Sequence, residues 1–228
     1  MPHLQPQPHT KPYRGMAMEG MIAAWYTKVT SRDLAEFERL ARRIADELAP
    51  PGSGPGARVL EVAPGPGYLA IALARLGVAV VGLDISRSFV RIAAEQARAA
   101  GVTAAFRQGD AAAMPFAAGT FDFVVCRAAF KNFGDPAGAL AEMHRVLKPG
   151  GRALIIDMRG DTSDEEIADY ASGYGRSSLD RLTMRMIFRS LRKRAYTPDA
   201  LAGMAARIPF ARRTISRDMI GMEVTLEK

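Results

Sequence analysis

The sequence predicts an α/β protein with a doubly wound seven-stranded sheet, mostly parallel, closed by a C-terminal antiparallel hairpin. Three observations predict it. From residue 57 to 158, short apolar runs alternate with amphipathic helical stretches, the pattern of parallel strands joined by right-handed crossovers. Acidic residues close three successive strands, at the edge where open α/β sheets hold their ligands. The last two strands lie too close in sequence for a crossover, so they must pair as a hairpin.

The first twelve residues, with four prolines and little that is apolar, read as a disordered tail. A stretch rich in Met and aromatic residues follows from Gly15 to Tyr26. Ser31 and Asp33 can then start a helix carrying Leu34, Phe37, Leu40, Ala41, Ile44 and Leu48 at helical spacing. PPGSGPG (50–56) ends it, because tandem prolines cannot continue a helix.

RVLEVA (58–63) reads as a strand, YLAIALARL (68–76) as a helix and VAVVGLD (78–84) as a strand. SRSFVRIAAEQARAA (86–100) reads as a helix, and TAAFRQGD (103–110) and FDFVVCRA (121–128) as strands. PAGALAEMHRVL (136–147) is a helix stopped by Lys148-Pro149-Gly150-Gly151 before the strand RALIIDM (152–158). Two helices are inserted at about 160–195, then a helix at 196–205 with its own proline start. FARRTIS (210–216) and IGMEVTLEK (220–228) close the chain.

Composition excludes several classes. With 228 residues, 48% apolar and 24% charged, the chain is an ordinary globular one. The longest charge-free stretch, Val62 to Ala74, contains two Gly and two Pro, so no membrane span is expected. The single cysteine, Cys126, leaves no internal disulfide and no cysteine-based zinc site. No secretory signal is visible, so a cytoplasmic protein is expected. The net charge of +7 is local: seven bases against Asp180 lie between Arg176 and Arg194. A helix over 178–194 would expose Arg181, Arg185, Arg189 and Arg192 as one stripe, and bury Leu179, Leu182, Met186, Ile187 and Leu191. The chain outside this helix is nearly neutral and offers no second basic surface, so no nucleic-acid partner is expected.

The sharpest motif is Glu61-Val-Ala-Pro-Gly65-Pro-Gly67-Tyr-Leu-Ala70, between the first strand and its helix. Its glycines let a ligand approach the backbone beside a helix N-terminus. Gly65-x-Gly67-x-x-Ala70 also fits a dinucleotide fingerprint, but Glu61 would repel a pyrophosphate and suits an ammonium and a sulfonium. Asp84, seventeen residues beyond Gly67, can accept from both hydroxyls of a ribose. Asp110 can accept from an adenine amino group. Taken singly each acid could be a cap or a turn residue; together they mark the crevice.

These segments, with FDFVVCRAAFKNFGDP (121–136) and EMHRVLKPGGRALIIDM (142–158), resemble the class I S-adenosylmethionine-dependent methyltransferases of the small-molecule type. The likeness covers about residues 57–158 and implies a Rossmann-like fold. Residues 57–228 would then form the methyltransferase domain, and 13–56 a helical lid with its linker. By resemblance, Glu61 and the 63–67 backbone (Ala63, Gly65, Gly67) would face the methionine part of the cofactor. Asp84 would hold the ribose, Ile85 would pack on the adenine, and Asp110 with the Ala111 amide would hold the adenine edge. The backbone at Cys126 and Arg127 would flank the methionine moiety. The sequence departs from the family at Ala63, where a glycine is usual.

Acceptor-side candidates come from the same resemblance and from placement. KNFGDP is similar to a segment of quinone-biosynthesis methyltransferases, with Lys131 at an arginine position, which points to Lys131 and Asn132. Asn132 reads equally as the cap of the turn before helix 136–147. Asp157 closes the fifth strand and is the best-placed carboxylate, or else a buried structural acid. Tyr13, Met18, Trp25 and Tyr26, with Arg14 and Glu19, either pack the first helix onto the core or line a lid over cofactor and acceptor. Cys126, in an apolar run, reads as a packing residue and not a nucleophile. No histidine is placed as a general base. The expected reaction is methyl transfer from S-adenosylmethionine to a small-molecule acceptor, leaving S-adenosylhomocysteine, in a monomer or homodimer without a metal. The alternatives are an RNA methyltransferase using helix 178–194, or a protein that binds the cofactor without transferring methyl.

Overall fold

The structure is a computed structural model and describes residues 14–15, 17–48, 56–173 and 177–228. The tail 1–12, Tyr13 and most of the linker 50–56 therefore lie outside the described residues. The elements are α1 (Gly20–Thr30), α2 (Leu34–Leu48), β1 (Arg58–Val62), α3 (Tyr68–Arg75), β2 (Ala79–Asp84), α4 (Arg87–Ala99), β3 (Ala104–Gln108) and β4 (Phe121–Arg127). They continue as α5 (Pro136–Val146), β5 (Leu147–Met158), α6 (Asp164–Ser172), α7 (Ser178–Arg192), α8 (Pro198–Ala205), β6 (Arg212–Asp218) and β7 (Gly221–Glu227).

The seven strands run in the order β3-β2-β1-β4-β5-β7-β6. β1 pairs in parallel with both β2 and β4, and among the described strands the β5–β7 and β6–β7 pairings are antiparallel. Strand order reverses at β1, which opens the crevice at the C-terminal ends of β1 and β4. Side chains alternate along β1. Leu60 and Val62 enter the core under α5 and α8, while Val59 joins Leu40, Ile44, Leu69 and Leu73 of α2 and α3 on the opposite face.

Four expectations are corrected. β5 begins at Leu147, since Lys148–Gly151 are absorbed by a register shift against β4 and anchored to the chain's last residue through Gly150 and Lys228. β3 ends at Gln108, and Asp110 sits beyond it in a turn that its own carboxylate closes on the Ala112 amide at 2.9 Å. The Met-rich stretch before Ser31 is itself helical, as α1; its Met21, Ile22, Trp25 and Val29 are exposed, which leaves no amphipathic signature to read.

The fourth correction is α7. Arg181, Arg185, Arg189 and Arg192 are all partly buried, and Arg189 and Arg192 bind Asp164 at 2.9 and 3.0 Å. Of the five apolar residues expected inside, only Leu191 packs against the α6 cluster around Ile167. Leu179, Leu182, Met186 and Ile187 face outward. The packed face of α7 is the one that carries Phe188 and Leu191, which meet Ile167 and Tyr170 of α6, and this packing brings Arg189 and Arg192 to Asp164.

Candidate active site

The C-terminal edges of β1 and β2 are joined through one carboxylate. Asp84, 6% exposed, accepts from the Gly65 amide at 3.0 Å and from the Ser86 amide at 2.9 Å. Burial outweighs these bonds and lifts its carboxyl to about 6. The loop between β1 and α3 is left-handed at Ala63, Gly65 and Gly67, with φ of 57°, 55° and 83°. Ala63 adopts the conformation for which glycine is the ordinary residue, and its amide is held by the Leu83 carbonyl at 2.7 Å.

Glu61 lies beneath this loop, on the α2–α3 face of the sheet, and is buried. One carboxylate oxygen, Oε2, has no hydrogen-bond partner among the described residues. Burial pushes its carboxyl up to about 8, against smaller opposing effects of the Ala70 amide and Arg127. A buried carboxyl oxygen without a partner beneath the glycine loop calls for a cationic or donor group from outside the chain.

The remaining expected cofactor residues are spread around that centre. Ile85 is 45% exposed, an apolar surface beside Asp84. Ala111 follows Asp110 in its turn and packs on the core. Cys126 is fully buried in the core with its thiol pushed well up by burial, which fits packing and disfavours a nucleophile. The Arg127 side chain leaves the crevice, stacking on Phe37 at 4.6 Å and bonding Glu36 at 2.7 Å.

On the acceptor side, Lys131 and Asp157 form a buried ion pair at 2.7 Å. Asp157 also accepts from the Lys131 amide (2.9 Å) and the Met158 amide (2.7 Å), and Lys131 Nζ donates to the Ala128 carbonyl at 2.6 Å. Asn132 is not the cap of α5; Asp135 is, accepting from Gly138 at 3.1 Å, because it sits at the N-cap directly before Pro136. The Asn132 Oδ1 is buried and has no partner among the described residues, while its carbonyl accepts from the Arg14 amide.

The N-terminal segment closes over β1 and β2. Glu19 caps α4, accepting from the amides of Arg87 and Ser88 and from the Ser88 hydroxyl at 2.5 Å; these bonds hold its carboxyl low. The Met18 carbonyl accepts from the Ser86 hydroxyl at 2.5 Å. The Tyr26 ring reaches within 4.0 Å of where a Cβ on Gly65 would stand, and packs edge-on against Phe89. Trp25 points outward, 63% exposed, away from any wall the sequence suggested for it. Ser86, Ser88 and Tyr196 were not singled out as site residues by sequence; the run Asp84-x-Ser86-x-Ser88 at the start of a helix is the signal that points to the two serines, and no local signal points to Tyr196. His144 stacks edge-on against Phe210, outside the crevice.

Residues 60–155 match a family model described as a methyltransferase domain. The chain is 39% identical over 123 residues to a demethylmenaquinone methyltransferase of Thermus thermophilus, covering 53% of each. It is 33% identical over 150 residues to a 2-phytyl-1,4-naphtoquinone methyltransferase of Synechococcus elongatus, covering 62% of this chain and 64% of that one. The chain thus spans about half the length of the first of these relatives. Among solved structures, a protein of Methanococcus maripaludis shares the fold with a TM-score of 0.73 at 19% identity, over 94% of this chain and 95% of that one.

Proposed function

We propose that this chain, which carries a class I S-adenosylmethionine-dependent methyltransferase domain, transfers a methyl group from S-adenosylmethionine to a small-molecule acceptor. The observation that carries the reading is the unpaired Oε2 of buried Glu61 beneath the 63–67 loop. It fits the ammonium of the cofactor's methionine part. Asp84 fits the ribose hydroxyls with the lone pairs left by Gly65 and Ser86, and the exposed Ile85 fits the adenine face. Asp110 and the Ala111 amide are proposed for the adenine edge, and the backbone of Cys126 and Arg127 for the crevice wall.

When bound, S-adenosylmethionine supplies an electrophilic methyl on a sulfonium. The chain's part is alignment, and positioning of this kind is worth up to ~7–11 kcal/mol in well-oriented reactions. The segment 17–48 acts as a lid: Met18 and Glu19 clamp it to α4, and Tyr26 shields the loop from water. Tyr26 and Met18 offer an adaptable apolar wall. Lys131, Asn132 and Asp157 lie at the ends of β4 and β5 and set the polar side, where the unpaired Asn132 Oδ1 can receive a donor from the acceptor. A flat ring with few charges, as in the names of the two relatives, suits this combination.

Calorimetry with S-adenosylhomocysteine, followed by transfer of labelled methyl to a panel of quinol, phenol and amine acceptors, tests the reading. Binding with turnover of at least one acceptor is expected. Binding of NAD with no response to S-adenosylhomocysteine would overturn it, and binding without any transfer would leave a cofactor-binding protein.

A further inference from the structure

Twelve large apolar side chains are exposed among the described residues, and they are not scattered. Met21, Ile22, Trp25 and Val29 lie on α1, and Leu179, Leu182, Met186 and Ile187 on α7. Two helices therefore hold eight of them. Both hang from the same edge of the sheet. α1 is clamped through Glu19 to the start of α4, directly after β2, while α7 is tied by Arg189 and Arg192 to the Thr162–Asp164 segment, directly after β5. Arg14 bridges the two sides, its amide donating to the Asn132 carbonyl and its guanidinium to the Tyr196 hydroxyl at 2.8 Å. α1 thus hangs from the cofactor side and α7 from the acceptor side of the sheet's one C-terminal edge.

Charge completes the pattern. Of the seven bases between Arg176 and Arg194, Asp164 takes Arg189 and Arg192; Arg181, Arg185, Lys193 and Arg194 have no ion pair among the described residues. A helix with leucines, a methionine and an isoleucine outward and bases along its flank lies naturally in the plane of an anionic bilayer, apolar side chains among the acyl chains and bases at the phosphates. An exposed tryptophan, as at Trp25, favours the same interface. A second copy of this chain is the poorer occupant, because a two-fold contact would bring the same bases of two α7 helices together.

We propose that α1 and α7 form a surface that docks on anionic lipid bilayers, presenting the acceptor side of the crevice to the membrane. Only its use, admitting an acceptor with an apolar tail, rests on the proposed function.

Sedimentation of the full chain with phosphatidylcholine vesicles, with and without about one-third phosphatidylglycerol, tests it. Binding to the anionic vesicles is expected, weakening steeply as salt rises and the screening length falls from about 10 to about 3 Å. The variants Met21→Gln and Leu179→Gln/Met186→Gln should each lower partitioning, the double variant by at least about tenfold. Their affinity for S-adenosylhomocysteine should not change. Absence of binding to anionic vesicles, or equal binding by the double variant, overturns the proposal. So does a dimer that the double variant abolishes, without vesicle binding. Vesicle binding by a chain that ignores S-adenosylhomocysteine supports the surface and removes the proposed function alone.

Discussion

The Gly65 amide donates to the Asp84 carboxylate across 3.0 Å, so the loop after β1 takes its position from the end of β2. The same carboxylate, through the Ser86 amide, also fixes the start of α4. One side chain therefore sets both walls of the proposed ribose site.

Replacing Asp84 with Ala removes the acceptor for two backbone amides and for the ribose together. We expect S-adenosylhomocysteine affinity to fall by ~1.5–3 kcal/mol, the range for charge-assisted hydrogen bonds. Calorimetry on a folded variant checks this. Unchanged affinity would remove Asp84 from the site.

Glu61 makes cofactor binding a protonation event. Its carboxyl titrates at about 8 in the fold against an ordinary 4.5, so between these values the native state holds a proton that the unfolded chain has lost. Stability should then fall as pH rises through that window, by at most ~1.4 kcal/mol per pH unit. A cationic ammonium at Oε2 favours the carboxylate, so binding near neutral pH should release about one proton. Titration calorimetry in buffers of different ionisation enthalpy measures it, and Glu61→Gln should abolish the buffer dependence. The same release from the variant would assign the proton to another group.

Ala63 and Gly67 occupy the same backbone region and should respond to substitution in opposite directions. Ala63→Gly relieves a left-handed alanine at the cost of a floppier unfolded chain, giving a net change between about 0 and 1 kcal/mol of stabilisation. Gly67→Ala would set a Cβ 2.8 Å from that of Ala93 and 3.1 Å from the Phe106 ring, besides the left-handed strain. A loss of ~2–4 kcal/mol is expected. Urea unfolding of both variants decides, and a neutral Gly67→Ala would contradict the packing described.

The parallel core was legible because its signals are local and redundant. Apolar runs such as FVVC (123–126), short, β-branched and bounded by turn residues, read as buried strands, and Glu61, Asp84 and Asp157 stand at or near where the runs stop. What escaped was set by partners distant in sequence. α7 shows a clean amphipathic pattern, yet its orientation follows from Ile167, Tyr170 and Asp164 on another helix, which no period of its own residues encodes. α1 has no period to read, because Glu19 and Tyr26 dock it through a few contacts rather than through an apolar stripe. Lys131 and Asp157 were each read alone; twenty-six residues separate the partners of a buried ion pair.

That pair yields the last prediction. Lys131 is 5% exposed and Asp157 also 5%, so neither charge has water to fall back on. Removing one partner of a buried pair costs ~3–5 kcal/mol, because the other charge is left uncompensated. The two removals should differ. In Lys131→Met the carboxylate still accepts from the Lys131 position's amide and the Met158 amide, so the loss should lie near ~3 kcal/mol. In Asp157→Leu an ammonium and two buried amides lose their acceptor at once, and the loss should approach ~5 kcal/mol or prevent folding. Denaturant unfolding of both variants and of the double variant gives the coupling directly, and the double variant should lose less than the sum of the two single losses because it buries no lone charge. Losses below about 1 kcal/mol in both single variants would mean a hydrated pair. If the pair also orders the acceptor side, Lys131→Met should raise KM for the acceptor while S-adenosylhomocysteine affinity stays unchanged, since its contacts are with β4 and β5 and not with the glycine loop.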